Sequence, residues 1–122
     1  MRERTLDTVK TKKTYEPEET VSISAGKVAK LLFQIVDEIK EAEGKFGTFH
    51  MVAIKTLEGI GENGKPIETE TNRLDFSSKR LLGIFESIFA TYDNRAKLYE
   101  ATFLMSGAGT GFDRKYIISE VE

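Results

Sequence analysis

The segment IETETNRLDFSSKRLLGIFESIFATY, residues 67–92, predicts a strand that leads directly into an amphipathic helix. Leu74 and Phe76 are two residues apart and therefore share one face of an extended chain. Ser77 follows at the position of a helix N-cap, where its hydroxyl can accept a free backbone N–H. Apolar residues then recur at helical spacing and form one stripe: Leu81, Ile84, Phe85, Ile88 and Phe89.

The segment from Val21 to Val36 repeats this pattern 53 residues earlier, with Ser24 in the place of Ser77. It predicts a short strand over Thr20–Ser24 and then a second amphipathic helix. The apolar stripe of that helix consists of Val28, Leu31, Leu32, Ile35, Val36 and Ile39. Two explanations remain open: an internal duplication of a strand–helix–strand unit, or the likeness of any two segments that join an N-cap to an apolar stripe.

Strand and turn signals fill the remaining chain. Further strands are predicted over Thr48–Leu57, Ile67–Phe76, Lys97–Ser106 and Phe112–Val121. Turns are predicted at Gly59–Pro66, which contains Asn63-Gly64, and at Gly107–Gly111. The fold class is therefore α+β, with the order ββαββαββ, an antiparallel sheet and two amphipathic helices on one of its faces.

Length and composition indicate one domain spanning residues 1–122. Met1–Tyr15 reads as a basic extended arm or as a frayed terminus. The net charge of −2 excludes a uniformly basic surface, so any anion-binding surface must be a local patch. The absence of cysteine excludes disulfides, thiolate zinc sites and cysteine nucleophiles. No apolar run reaches the length of a membrane span, and we expect a cytoplasmic protein.

Residues that could carry out catalysis are sparse. His50 is the single histidine, and no metal-ligand spacing surrounds it, so we expect a structural or surface role. Ser77 and Ser78 are explained by helix capping. Gly107, Gly109 and Gly111 indicate either a hairpin or a loop whose N–H groups bind an anion. The expectation is a protein that is not an enzyme and that needs no cofactor or metal.

A combination of basic and aromatic side chains is the positive functional signal. Single-stranded nucleic acid is bound in this way, because bases stack on aromatic rings while cations contact phosphates. The alternative is that the aromatic residues belong to the core and the cations to an ordinary surface. The candidate nucleic-acid-binding residues are Arg73, Lys97, Tyr99, Arg114, Lys115 and Tyr116.

The strand-to-helix junction LDFSSKRLLGIFESI resembles that of single-strand-binding coactivator and Whirly-type domains. The resemblance covers Val21–Val36 and Leu74–Phe89, and it implies a β-rich domain that binds DNA across its sheet. We therefore expect a non-catalytic module that binds nucleic acid, favouring single strands. The alternative is a small inhibitor or immunity-type protein that covers a partner protein. Exposed edge strands also predict a homodimer.

Overall fold

A computed structural model describes residues 20–109 and 114–121 of the chain. The predicted arm Met1–Tyr15 lies outside the described residues, and so do Thr110, Gly111 and Phe112. The described residues form a mixed α+β domain. Its strands are β1 (Ser22–Ser24), β2 (Val28–Gly44), β3 (Gly47–Gly61), β4 (Arg73–Phe76), β5 (Thr102–Ala108) and β6 (Lys115–Val121). Its α-helices are α1 (Lys79–Thr91) and α2 (Arg95–Glu100), and a 3-10 turn, Ala25–Lys27, joins β1 to β2.

The six strands form one sheet in the order β1-β4-β3-β2-β5-β6. Strands β1 and β4 are parallel, whereas every other neighbouring pair is antiparallel. The long β2–β3 hairpin occupies the centre, and its two-residue turn is Lys45-Phe46. An antiparallel sheet was predicted from the hairpin signals, and this prediction is confirmed except at the parallel β1–β4 pair.

The core lies on one face of the sheet. Helix α1 buries Leu81, Phe85 and Phe89 there, and α2 adds Leu98 to the same cluster. The Phe85 ring stacks on Phe76 at a centroid distance of 5.4 Å and lies 6.3 Å from the Phe33 ring. Both helices therefore cover the same face, while the opposite face, called the open face below, carries no helix among the described residues.

The first predicted helix is wrong, because its residues form β2. Leu31, Phe33 and Ile35 are fully buried at a spacing of two, which is the period of a strand. The run LLFQIV fits both a helical stripe and a buried strand, and such a short apolar run does not distinguish them. These residues pair with β3 on one side and β5 on the other, and the resulting hydrogen bonds favour a strand over a helix.

The predicted order ββαββαββ and the duplication are not confirmed, because the residues equated with α1 are a strand. The bounds of two predicted strands and the predicted helix cap also differ from the structure. Lys97–Ser106 begins in α2 and becomes extended only at Thr102. Ile67–Phe76 is a strand only from Arg73 onward. Ser78 rather than Ser77 caps α1, since its Oγ accepts the Leu81 N–H at 3.2 Å.

The sheet is strongly curved. Ser24 pairs with Asp75, which itself pairs with Met51, whereas Val28 pairs with Gly61. Four residue steps from Ser24 to Val28 span at most about 14 Å. The ten steps from Met51 to Gly61 would cover about 33 Å in a straight strand. Irregularities in the β2–β3 register accompany this curvature, which brings the end of β1 towards the start of β6 although they lie at opposite edges.

Candidate functional site: a basic groove

A groove lies where the end of β1, the start of α1 and the start of β6 meet. Its main part has a volume of about 630 Å³, and an adjoining hollow of about 420 Å³ continues it along α1. Arg80 and Tyr116 line both parts, so we treat them as one feature and call it the basic groove. The other lining residues are Ser24, Ala25, Gly26, Phe76, Ser77, Ser78, Lys79, Gly83, Ile84, Ser87, Arg114 and Lys115.

Every charged side chain among the described residues lining this groove is a cation. Lys79 and Arg80 come from α1, and Arg114 and Lys115 precede or begin β6. The chain as a whole carries a net charge of −2, so this concentration of positive charge is local. A concave surface lined by one sign of charge attracts ions of the opposite sign, which here means anions.

The start of α1 is electrostatically unfavourable for folding. The N-terminal end of a helix carries a partial positive charge and is stabilised by acidic side chains. Here Ser78 is the N-cap, Lys79 and Arg80 occupy the first two helical positions, and the first turn contains no acidic residue. The two cations therefore add repulsion at the place where an anion would relieve it.

Arg114 is held in place by backbone atoms. Its Nη1 donates to the Gly109 carbonyl at 2.9 Å, and its Nη2 donates to the Val28 carbonyl. A Cβ at Gly107 would lie 2.6 Å from Arg114 Nη2 and 2.9 Å from the Val28 oxygen, so only glycine leaves room for this side chain. The guanidinium carbon lies 5.5 Å from the centroid of the Tyr116 ring. Arg114 thus ties β6 to β2 and fixes a cation beside an aromatic ring.

The structure brings Arg114, Lys115 and Tyr116 together in the groove, but it places the other three predicted residues elsewhere. Arg73 alternates with buried Leu74 and therefore lies on the open face, where its Nε contacts Asp75 Oδ1 at 2.7 Å. Lys97 is in α2 rather than in a strand, and its Nζ lies 3.8 Å from a carboxylate oxygen of Asp93.

Tyr99 is also in α2 and serves to hold that helix against β2. Its hydroxyl donates to Glu38 Oε2 at 3.0 Å, and Arg95 donates to both oxygens of the same carboxylate. These hydrogen bonds from Arg95 are the largest cause of the lowered pKa of Glu38. The pKa of Tyr99 is raised, first by burial and then by the Glu38 carboxylate. Tyr99 is therefore engaged in a structural contact and does not line the groove.

His50 packs its ring against Phe76, with 5.7 Å between the ring centroids. Within residues 20–109 and 114–121, no three histidine, cysteine or carboxylate side chains are grouped closely enough to hold a metal ion. Gly107 belongs to β5, while part of the predicted glycine-rich loop lies outside the described residues. The described lining of the groove contains four serines but no carboxylate or histidine.

Sequence reasoning missed Lys79 and Arg80 as site residues. The signal was nevertheless present in SSKRLL, where two cations directly follow the cap serine although acidic residues are preferred there. A cap followed by cations indicates a helix start that an anion could stabilise. The sequence could not show that this helix start lies beside Tyr116.

No known protein family, curated protein or solved structure matches this chain. The helices of the described part are too short and too polar for any of them to cross a membrane.

Proposed function

We propose that this chain is a non-catalytic module that binds single-stranded nucleic acid in the basic groove. The proposal rests on one observation: four cations and the Tyr116 ring line the same groove, and the described lining contains no acidic residue. Phosphates supply the anions that such a lining attracts. The cations are Lys79, Arg80, Arg114 and Lys115.

Single strands are favoured over duplexes because the groove also offers aromatic surface. The Tyr116 ring is half-buried and lines both parts of the groove. Unpaired bases can stack on an aromatic ring, whereas the bases of a duplex already stack on one another. The Arg114 guanidinium beside Tyr116 adds a cation that can contact a neighbouring phosphate or base.

Fluorescence anisotropy of a labelled oligo(dT) at two salt concentrations tests the proposal. We expect affinity to fall steeply with salt, because each phosphate contact contributes about −0.7 to the slope of log K against log[salt] for single strands. Arg80→Gln and Lys115→Gln should each weaken binding and make this slope shallower. Lys55→Gln is the matched control, since Lys55 is exposed on β3, outside the groove.

Tyr116 provides a separate test of stacking. Tyr116→Phe keeps the ring and should retain affinity, while Tyr116→Leu should lose about 1–3 kcal/mol, the usual contribution of one stacked base. Circular dichroism of both variants checks that the fold is intact. Absence of binding at low salt, or equal losses for Lys55→Gln and Lys115→Gln, would overturn the proposal.

A second candidate function, a protein-binding module, is supported by the open face. Leu32 and Leu104 pair there across β2 and β5 without a covering helix among the described residues. Ile60 and Val121 are also exposed, at 45% and 40%. Apolar groups grouped on a surface are typical of protein contacts. We propose that this face contacts protein and that the chain is a homodimer, which sedimentation of the purified chain tests directly. We also propose that the chain acts in the cytoplasm.

A further inference from the structure

The tip of the β2–β3 hairpin carries a phenylalanine that the fold does not use. Phe46 is 98% exposed, the highest value among the exposed large apolar residues of the described chain. The turn is completed by Gly47 at φ 113°, a conformation that glycine adopts readily. Nothing in that geometry calls for an aromatic residue, since turns are usually made of glycine, asparagine, aspartate or proline.

The open face contains an apolar hollow near the other end of the same hairpin. Its volume is about 290 Å³, and its apolar lining includes Leu32, Ile60, Leu104 and Val121. A cavity of about 150 Å³ lined by aliphatic and aromatic side chains is sufficient to bind benzene. The hollow is therefore large enough to receive one phenyl ring.

Charges next to the tip complement charges at the hollow. Lys45 directly precedes Phe46, and Glu43 lies on β2 just before the turn. The hollow is lined by one cation, Lys30, and one anion, Glu58. Neither Lys45 nor Glu58 forms an ion pair with another described residue, so both charges are available to a partner.

We propose that the occupant of the hollow is Phe46 from a second copy of this chain. In this dimer Lys45 of one copy faces Glu58 of the other, and Glu43 faces Lys30. The tip and the hollow lie towards opposite ends of the β2–β3 hairpin, since Gly44 pairs with Gly47 at the tip while Leu32 pairs with Glu58. Two hairpins that lie antiparallel about a twofold axis therefore make this contact twice, which closes the assembly at two copies.

Sedimentation equilibrium across a concentration series is the first test. The wild-type chain should dimerise, and Phe46→Ser should raise the dissociation constant at least about 100-fold, because each dimer loses two buried rings. Ile117→Ser is the matched control, since Ile117 is 67% exposed but does not line the hollow. A monomeric wild type, or a Phe46→Ser chain that dimerises as well as wild type, would overturn the proposal.

Charge reversal identifies the contact itself. Lys45→Glu and Glu58→Lys should each weaken the dimer, whereas the double variant should restore it, because the pair is rebuilt with its signs exchanged. If the double variant is no better than the single variants, the two residues do not face each other and the proposed arrangement is wrong. Oligonucleotide binding is measured on the same variants and should persist, since none of these residues lines the basic groove.

Discussion

Replacing Lys79 with glutamate should stabilise the fold while weakening nucleic-acid binding. Lys79 is exposed at the first position of α1, where the helix dipole repels a cation and attracts an anion. Each of these two effects is worth about 0.3–1 kcal/mol at an exposed helix end, so reversing the charge should add about 1 kcal/mol. In a domain of this size that corresponds to a rise in Tm of about 4 °C.

The assay combines thermal unfolding with oligo(dT) anisotropy at low ionic strength, where exposed charges are least screened. Lys79→Glu should raise Tm and reduce affinity, and the negative slope of log K against log[salt] should become shallower by at least about 0.7 as one phosphate contact is lost. Lys55→Glu makes the same change in net charge on the open face, away from any helix end. It should leave Tm and affinity nearly unchanged.

The opposite movement of stability and affinity is what distinguishes a binding residue from a structural one. If Lys79→Glu lowered Tm, the lysine would be supporting the fold and the electrostatic account of the helix start would be wrong. If it raised Tm but left affinity unchanged, α1 would not form part of the nucleic-acid surface. If Lys55→Glu reduced affinity as much as Lys79→Glu, the ligand would be responding to overall charge or to the open face.

Three further results are expected from the structure. Gly107→Ala should destabilise the fold by about 1–3 kcal/mol in chemical denaturation, because its Cβ would lie 2.6 Å from Arg114 Nη2 and force that side chain to move. Phe85→Ala should cost about 3–5 kcal/mol by the same measurement, since the ring is fully buried between sheet and helix. Burial and the Glu120 carboxylate raise the pKa of Tyr92 to about 12. In an unfolded chain the pKa of tyrosine is about 10. The contribution of protonated Tyr92 to the free energy of unfolding is therefore fully present below pH 10 and is lost between pH 10 and 12. Tyr92→Phe should reduce this loss of stability when denaturation is measured across that pH range.

The β4–α1 junction was predictable because local signals agree there. Leu74 and Phe76 alternate as a strand requires, a serine caps the helix, and Leu81, Phe85 and Phe89 recur every four residues. All five of these apolar side chains are buried in the structure. The cap was misplaced by one residue, because Ser77 and Ser78 are equally suited to accept the N–H and only the backbone path decides between them.

Strand β2 could not be predicted because its conformation is decided by distant partners. Its residues Lys30–Gln34 pair with Thr102–Ser106, about 70 positions away in sequence, as well as with β3. Helical spacing and strand alternation coexist in this apolar segment. The hydrogen bonds of two neighbouring strands then outweigh a modest intrinsic preference of the chain.

Only part of the candidate site was predictable, namely the part that is contiguous in sequence. Arg114, Lys115 and Tyr116 are contiguous, so a short basic and aromatic motif reveals them in the sequence. Lys79 and Arg80 join them only because the curved sheet and the crossing of α1 bring the two segments together. The curvature of the sheet cannot be predicted from the spacing of residues in the sequence.

The acidic balance of the chain supports a localised groove. Among the described residues, the lining of the groove holds four cations and no carboxylate, whereas the chain as a whole carries a net charge of −2. In the proposed function, this contrast attracts the phosphates of a nucleic acid to one concave region and orients an approaching strand before contact. A groove of the same charge on a neutral or basic protein would compete with its own surroundings for the ligand. The low net charge, which at first argues against nucleic acid, is thus consistent with binding that is confined to one site.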